Sequence, residues 1–353
     1  MAWLAVSLAA FFLFAVAVVT DKFMLTKTTI VPLSYAFYIC LMSAAASSAV
    51  FLVPVLLADG KLLLPIGFPL ATVVVCGVAQ FLGLLFMFEA VLRGEVSKAS
   101  PVLVSLQPVV SLLLTLVLPP LFALAAPRID LGLELVAARK LPGVAMIVAG
   151  SYLLSQAGGR KTAFSPATWA YVVLAGFFLA LANVFASISY RELTFAKAFL
   201  WTRWMSLVGA LVYVTVTGKF SALRRRSPAG ANAGNLERGN PGHPRDVNPG
   251  TADPGSNPGE EPQVRGRWIP LVFLFGQGCG ALAVLLQNYA LKLGNVVAVT
   301  ALGGVQFFFV ITLTALFSRF FPRLFSEPST RRTVLQKVLW SALLFGGVVV
   351  LAV

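Results

Sequence analysis

Ten predominantly apolar stretches decide what this chain can become. They lie at approximately 3–20, 33–57, 69–92, 99–124, 141–156, 167–189, 197–217, 268–291, 296–318 and 336–353. A helix needs roughly 20 such residues to cross a hydrocarbon core about 30 Å thick. The expected fold is therefore an all-α integral membrane protein with ten transmembrane helices. The fifth stretch is short, and the tenth runs to the end of the sequence. The first, WLAVSLAAFFLFAVAVV, has no basic residue ahead of its apolar core and no small-x-small cleavage site. It reads as a span rather than a signal peptide.

Composition points the same way. Of the 353 residues, 58% are hydrophobic and 11% charged, where a soluble domain carries about 25% charged residues. The mean hydropathy is +0.88. The net charge of +14 invites a nucleic-acid reading, but the Lys and Arg residues sit between apolar runs and form no basic face of the kind nucleic acid needs. Positive charge in such loops sets membrane orientation instead.

Catalytic chemistry finds little to work with. Cys40, Cys76 and Cys279 lie inside apolar runs, with neither CxxC nor Cys/His spacing, and read as small buried apolar residues. The sole histidine, His243, sits in a polar linker. No metal, cofactor or His-based triad is expected. No GxxxxGK[ST] loop occurs, which argues against direct ATP use. A lipid-modifying membrane enzyme usually presents His, Asp or Glu clusters, and no acidic cluster stands outside Glu260-Glu261. The chain is not expected to be an enzyme.

Residues 219–266 differ from everything else. They repeat the turn signals Asn240-Pro241-Gly242, Asn248-Pro249-Gly250, Asp253-Pro254-Gly255 and Asn257-Pro258-Gly259. Pro presets φ and Gly tolerates positive φ. With almost no apolar residues to bury, the segment is expected to be a disordered loop. Arg224-Arg225-Arg226 abuts a span, where it sets topology or touches anionic lipid.

The chain also matches itself. Shifted by 200 residues, FEAVLRGEVSKAS at 88–100 lies over NYALKLGNVVAVT at 288–300, pairing Ala90 with Ala290, Gly94 with Gly294 and Val96 with Val296. Shifted by 197, KLPGVAMIVAGSYLL at 140–154 lies over KVLWSALLFGGVVVL at 337–351, pairing Gly150 with Gly347. Each half holds five spans, so domains are expected at 1–158 and 165–353, the second interrupted by the polar loop. Five is odd, so the second copy must enter from the opposite side of the membrane. Inverted repeats of this kind serve alternating access in many secondary transporters.

In this pattern the chain resembles the EamA-type branch of the drug/metabolite transporter superfamily. The resemblance is carried by FMFEAVLRGEVSKASPVLVSLQPVVSLLLTLVL at 86–118, KLPGVAMIVAGSYLLS at 140–155, WTRW at 201–204 and LQNYALKLGNVVAVTALGGVQFFFVITLTALFSRFFP at 286–322. It covers all ten spans but not the 219–266 linker. It implies ten helices in two tandem repeats and the export or exchange of a small organic solute. One departure is the connection PPLFALAAPRIDLGLELVAARK at 119–140, where family members usually carry a short Gly-Glu turn. A flippase for a lipid or lipid-linked sugar on the same scaffold is the alternative. The expected partners are a small-molecule substrate and the lipid bilayer, with proton or ion coupling left open, in a cell-membrane monomer or homodimer.

Polar groups in hydrocarbon are costly unless partnered, which makes them candidate lining residues. Ser100, Gln107 and Ser111 fall on one face of the fourth span, and Gln277 and Asn288 on one face of the eighth. Thr300, Gly303 and Gly304 open the ninth, followed by Gln306. Each could line a cavity or bridge helices as interhelical glue. Arg203, between Trp201 and Trp204, is the one basic residue well inside a span. It could meet an anionic substrate, stack on an indole, or snorkel to the headgroups with the tryptophans as an interfacial belt. Glu89 precedes Arg93 by four, the favourable order for a helix pair; the other reading is a proton-coupling carboxylate. Asp21-Lys22 reads as an interfacial flank, Gln80, Asn183 and Gln287 are lesser candidates, and Pro101 and Pro108 are expected to bend the fourth span.

Loop charge bears on orientation. The odd-numbered connections hold 19 Lys and Arg and the even-numbered ones 7. The positive-inside rule then puts the odd connections in the cytoplasm and both termini outside, whereas the resemblance implies both termini inside. A single cysteine placed within 230–260 is expected to react with an impermeant maleimide only after the cytoplasmic face is opened. Labelling of intact cells would reverse the orientation.

Overall fold

The computed structural model describes residues 2–27, 32–59, 64–93, 96–125, 138, 141–156, 166–220, 269–320 and 331–352. Those residues are helical almost throughout, with no strand among them. The helices are α1 (Ala2–Lys27), α2 (Pro32–Asp59), α3 (Phe68–Arg93), α4 (Val96–Ala125), α5 (Leu141–Gln156), α6 (Pro166–Glu192), α7 (Phe195–Thr217), α8 (Ile269–Leu293), α9 (Val296–Ala301), α10 (Val305–Phe320) and α11 (Arg331–Ala352). Six of these, α1 to α4, α6 and α7, are long and apolar enough to cross a membrane. Leu141–Gly150, Val296–Val310 and Leu339–Val350 are shorter apolar helical stretches. The chain is a helical protein with several helices fit to span a bilayer. The polar linker beyond Phe220 lies outside the described residues.

The apolar span Ala2–Thr20 lies just ahead of Asp21-Lys22, and its helix continues beyond them to Lys27. One expected span differs from the structure. The stretch expected as one span from 296 to 318 is broken: α9 passes into a 3-10 turn, Leu302–Gly304, before α10 resumes. The Gly303-Gly304 pair has the weakest helix propensity in the stretch, which permits the tighter turn. A Cβ at Gly303 would lie 3.0 Å from Val104 of α4, so the turn is pressed against that helix. Pro101 and Pro108 both lie within α4.

Local signals account for the sharp ends. At the end of α7, Gly218 takes φ 64°, a left-handed conformation open to glycine. Its N–H donates to Thr215 O at 3.2 Å and that of Lys219 to Val214 O at 3.1 Å, closing the last turn. Between α8 and α9, the Asn295 side chain accepts from the N–H of Val297 at 2.9 Å and of Ala298 at 3.4 Å. This capped turn follows Gly294, within the segment 288–300 that aligns with 88–100.

Long antiparallel pairs make up the bundle. α1 runs along α8, α6 along α3 and α5 along α11, while α7 packs on both α2 and α3, and α4 on α5, α6 and α9. Small residues set these approaches. A Cβ at Gly77 would stand 2.5 Å from the backbone nitrogen of Ser206, so α3 and α7 touch nearly backbone to backbone. Lipid tails are as apolar as Leu, so close packing rather than water exclusion drives such association. Several buried hydroxyls bond inside their own helices: Ser7 donates to Trp3 O at 2.7 Å, Ser189 to Phe185 O at 2.8 Å and Thr300 to Val296 O at 2.9 Å, and the Ser189 Oγ also lies 3.1 Å from Thr72 Oγ1 of α3.

Gly77→Ala is expected to force α3 off α7 and destabilise the bundle by about 1–3 kcal/mol, read as a lower unfolding temperature in detergent. Gly278, around which a Cβ would meet nothing within 4 Å, serves as the control. Its alanine variant keeps or raises stability, by up to about 1 kcal/mol. Equal effects at the two positions would contradict the packing described.

Candidate functional site

One group of buried polar side chains gathers where α2, α3, α6, α7 and α8 meet. Arg203 is the centre of this group. Its residue is 6% exposed, eight positions into α7. The guanidinium carbon lies 5.0 Å from the centre of the Phe199 ring, one turn earlier on the same helix. Burial removes the snorkelling reading, because the side chain turns into the protein. The aromatic beneath it is Phe199 rather than an indole. Trp204 instead lies exposed, with its Nε1 donating to Ser48 Oγ of α2 at 2.9 Å. Trp201 is half-buried, and its Nε1 has no hydrogen-bond partner among the described residues.

Arg203 adjoins the hydroxyl of Tyr190, at the end of α6. Tyr190 donates to Asn288 Oδ1 of α8 at 2.6 Å, and Asn288 Nδ2 donates to Val284 O at 2.7 Å. The Tyr190 proton is thus committed to Asn288. Towards Arg203 the phenol oxygen can act only as an acceptor. The guanidinium forms no ion pair with a carboxylate of the described residues, and its Nε lacks any partner among them. Burying a cation in this way is costly. The Phe199 face and the Tyr190 oxygen offset part of that cost.

Three further polar links lie beyond this group. Cys40 Sγ of α2 and Ser206 Oγ of α7 are 3.2 Å apart, one turn along α7 from Arg203. Cys76 of α3 donates to Ala182 O of α6 at 3.3 Å. Further along, Gln277 Nε2 of α8 donates to Tyr35 Oη of α2 at 3.2 Å. Tyr35 itself is buried edge-on against Phe88, with ring centres 4.8 Å apart.

The structure thus brings Arg203 and Asn288 together through Tyr190, and carries Gln277 to α2. It does not join the other candidates to this group. Ser111 is fully buried on α4 with its Oγ unpartnered among the described residues, and Gln107 is half-buried on the same helix. α4 packs against α5, α6 and α9, away from Arg203. Gln306 is buried on α10. Glu89 is half-buried on α3; Arg93's side chain and that of Ser100 lie outside the described residues. Thr300 is satisfied by its own helix. No group of three or more His, Cys, Asp or Glu that could hold a metal occurs among the described residues.

Sequence reasoning missed Tyr190 and Tyr35. Tyr190 precedes Arg191-Glu192, which makes it look like an interfacial residue at a span end. The available signal was the run Ser187, Ser189 and Tyr190, polar residues ahead of that charged pair.

Eighteen chains of solved structures match this fold. One, a protein crystal structure, aligns over 99% of this chain and 96% of its own with a TM-score of 0.59 and 15% identity. At that identity the likeness is one of fold alone. No protein-family profile and no curated protein matches the chain.

The Tyr190–Asn288 hydrogen bond can be isolated with a double-mutant cycle of Tyr190→Phe and Asn288→Ala. The expected coupling is about 0.6 kcal/mol and at most ~1.7 kcal/mol, the range for such bonds between membrane helices. Strictly additive single effects on unfolding would contradict the contact.

Proposed function

We propose that the chain is a secondary transporter of a small organic solute, working by alternating access between two inverted five-span halves. It is also proposed to be an EamA-type member of the drug/metabolite transporter superfamily. On this reading α9, the 3-10 turn and α10 form one span, and the ten spans are α1 to α8, that composite and α11.

Reciprocal packing supports the repeat. Under the 197 shift Ile147 corresponds to Leu344 and Gly150 to Gly347. A Cβ at Gly150 would lie 3.0 Å from Leu344, and one at Gly347 would lie 2.7 Å from Ile147. Each contact is the image of the other, as a two-fold relation between α5 and α11 demands. The longer pairs behave alike. If α1 corresponds to α6 and α3 to α8, then the α1–α8 and α3–α6 pairs exchange. The sequence supports that correspondence: AWLAVSLAAFFL at 2–13 lies over TWAYVVLAGFFL at 168–179, matching Trp3 with Trp169 and Phe11-Phe12 with Phe177-Phe178.

The observation that carries the transport reading is the polar core shared by both halves. α2 and α3 of the first half meet α6, α7 and α8 of the second around Arg203, Tyr190, Asn288 and the Cys40–Ser206 pair. Repeat-built transporters hold substrate near the midplane at such a junction. The halves are also unequal, as alternating access asks. Gly77 lets α3 close onto α7. Its counterpart under the 200 shift is Gln277, whose longer side chain links α8 to α2 by a hydrogen bond.

The test is counterflow of labelled metabolites in proteoliposomes, with and without a proton gradient. Saturable counterflow of at least one solute is the expected result. Absence of flux for every solute class, together with accelerated transbilayer movement of labelled lipid, would replace this reading with a flippase. Paired cysteines at Gly150 and Leu344, and separately at Ile147 and Gly347, are expected to cross-link on oxidation. If only one pair did so, the reciprocal packing would be wrong.

A further inference from the structure

We infer that the solute is an organic anion, bearing a carboxylate or phosphate, led to Arg203 along a ladder of two stacked aromatic rings with a cation at each end. This inference rests on the transporter reading above and adds to it the charge class and the route.

The ladder has four rungs. Lys292, exposed in the last turn of α8, sets its Nζ 5.9 Å from the centre of the Phe195 ring. Phe195 stacks on Phe199 with ring centres 5.8 Å apart and planes inclined at 29°. Arg203 lies 5.0 Å over Phe199. Phe195, Phe199 and Arg203 are spaced i, i+4, i+8, so they share one face of α7 and descend about 12 Å from its start. A cation thus stands at each end, one at the rim and one buried.

Among the described residues, the charge at the inner end lacks a counter-ion. α7 and α8 contain no Asp or Glu. Gly77 of α3 lies level with Ser206, so Glu89, twelve residues on, is displaced by about 18 Å along that helix. Glu192, at the end of α6, is exposed and makes no ion pair with Arg203. The groups that feel the guanidinium are the Tyr190 phenol and the Cys40 and Cys76 sulfhydryls, all neutral. A planar guanidinium binds carboxylate or phosphate through paired N–H donors. A bound anion would supply the missing charge, while a cationic solute would be repelled at both ends of the path. The aromatic rungs suit an apolar body behind the anionic head.

The probes are benzoate and inorganic phosphate for the two anion classes, with benzyl alcohol and benzylamine as neutral and cationic counterparts of benzoate. Each is added to the purified full chain, and the unfolding temperature is read, since a ligand of the native state raises it. Benzoate or phosphate is expected to stabilise the wild type, and benzyl alcohol and benzylamine are not. Benzoate alone identifies carboxylates, and phosphate alone identifies phosphates. Arg203→Gln is expected to weaken the responding anion by about tenfold or more, the loss of a charge-assisted hydrogen-bond pair. Arg203→Lys keeps the charge but loses the planar fork, and an intermediate affinity is expected. Lys292→Gln is expected to slow anion association and flatten its salt dependence.

Lack of response to both anions, or equal response to benzylamine, would overturn the inference. So would unchanged affinity in Arg203→Gln. If that variant fails to fold, the decision rests on Lys292→Gln and on the wild-type charge preference. The two readings fail separately. Anion binding at Arg203 without counterflow would sink transport and leave the anion site. Counterflow of a neutral or cationic solute, with no anion response, would do the reverse.

Discussion

Helices in lipid gain nothing from hiding apolar faces from one another, so this bundle depends on how closely their backbones can approach. Gly77 against Ser206, Gly150 against Leu344 and Gly347 against Ile147 are the places where that approach is tightest. A methyl group at any of them would meet backbone or core side chains. Between these contacts the helices are free to carry large aromatic residues. The α2–α7 seam does so, with Phe51 edge-on to Phe199 at 5.4 Å. Tight glycine seams fix the frame, and the aromatic seams fill what remains.

Within that frame the polar residues divide into two kinds. Many hydroxyls turn back onto their own helices and ask nothing of their neighbours, as Ser7 and Thr300 do, whereas Ser189 also meets Thr72 of α3. A few reach across. Tyr190 to Asn288, Gln277 to Tyr35 and Cys40 to Ser206 each join different helices. These bridges cluster along α2, α6, α7 and α8. Arg203 stands among them as a buried cation whose neighbours among the described residues, Phe199, Tyr190, Cys40 and Cys76, are neutral.

Much of the architecture was legible because apolar run length and turn chemistry are local. The short fifth helix, the Asn295-capped turn and the Gly218 stop all follow from nearby residues. The site was legible only in part. Arg203, Asn288 and Gln277 stood out as polar residues in apolar surroundings, and the structure gives each a role in linking or charging the core. Gln107 and Ser111 stood out for the same reason, yet α4 carries them to a different side of the bundle. Tyr190 went unnoticed because a phenol near a span end looks interfacial, and only the approach of α8 makes it a core residue. The break at Leu302–Gly304 hid within a stretch whose apolar character never lapses.

By itself, the sequence determined that the chain is helical and suited to lipid, and roughly where most of its helices lie. Those properties depend on run length, composition and residues a few positions apart. Tertiary structure decided which face of each helix turns inward. In a soluble protein, amphipathicity would announce that choice. Here both faces are apolar, so whether Arg203 snorkels to the surface or enters the core depends on neighbours far away in the chain. Those neighbours, Phe199, Tyr190 and Asn288, meet only after α6, α7 and α8 have packed.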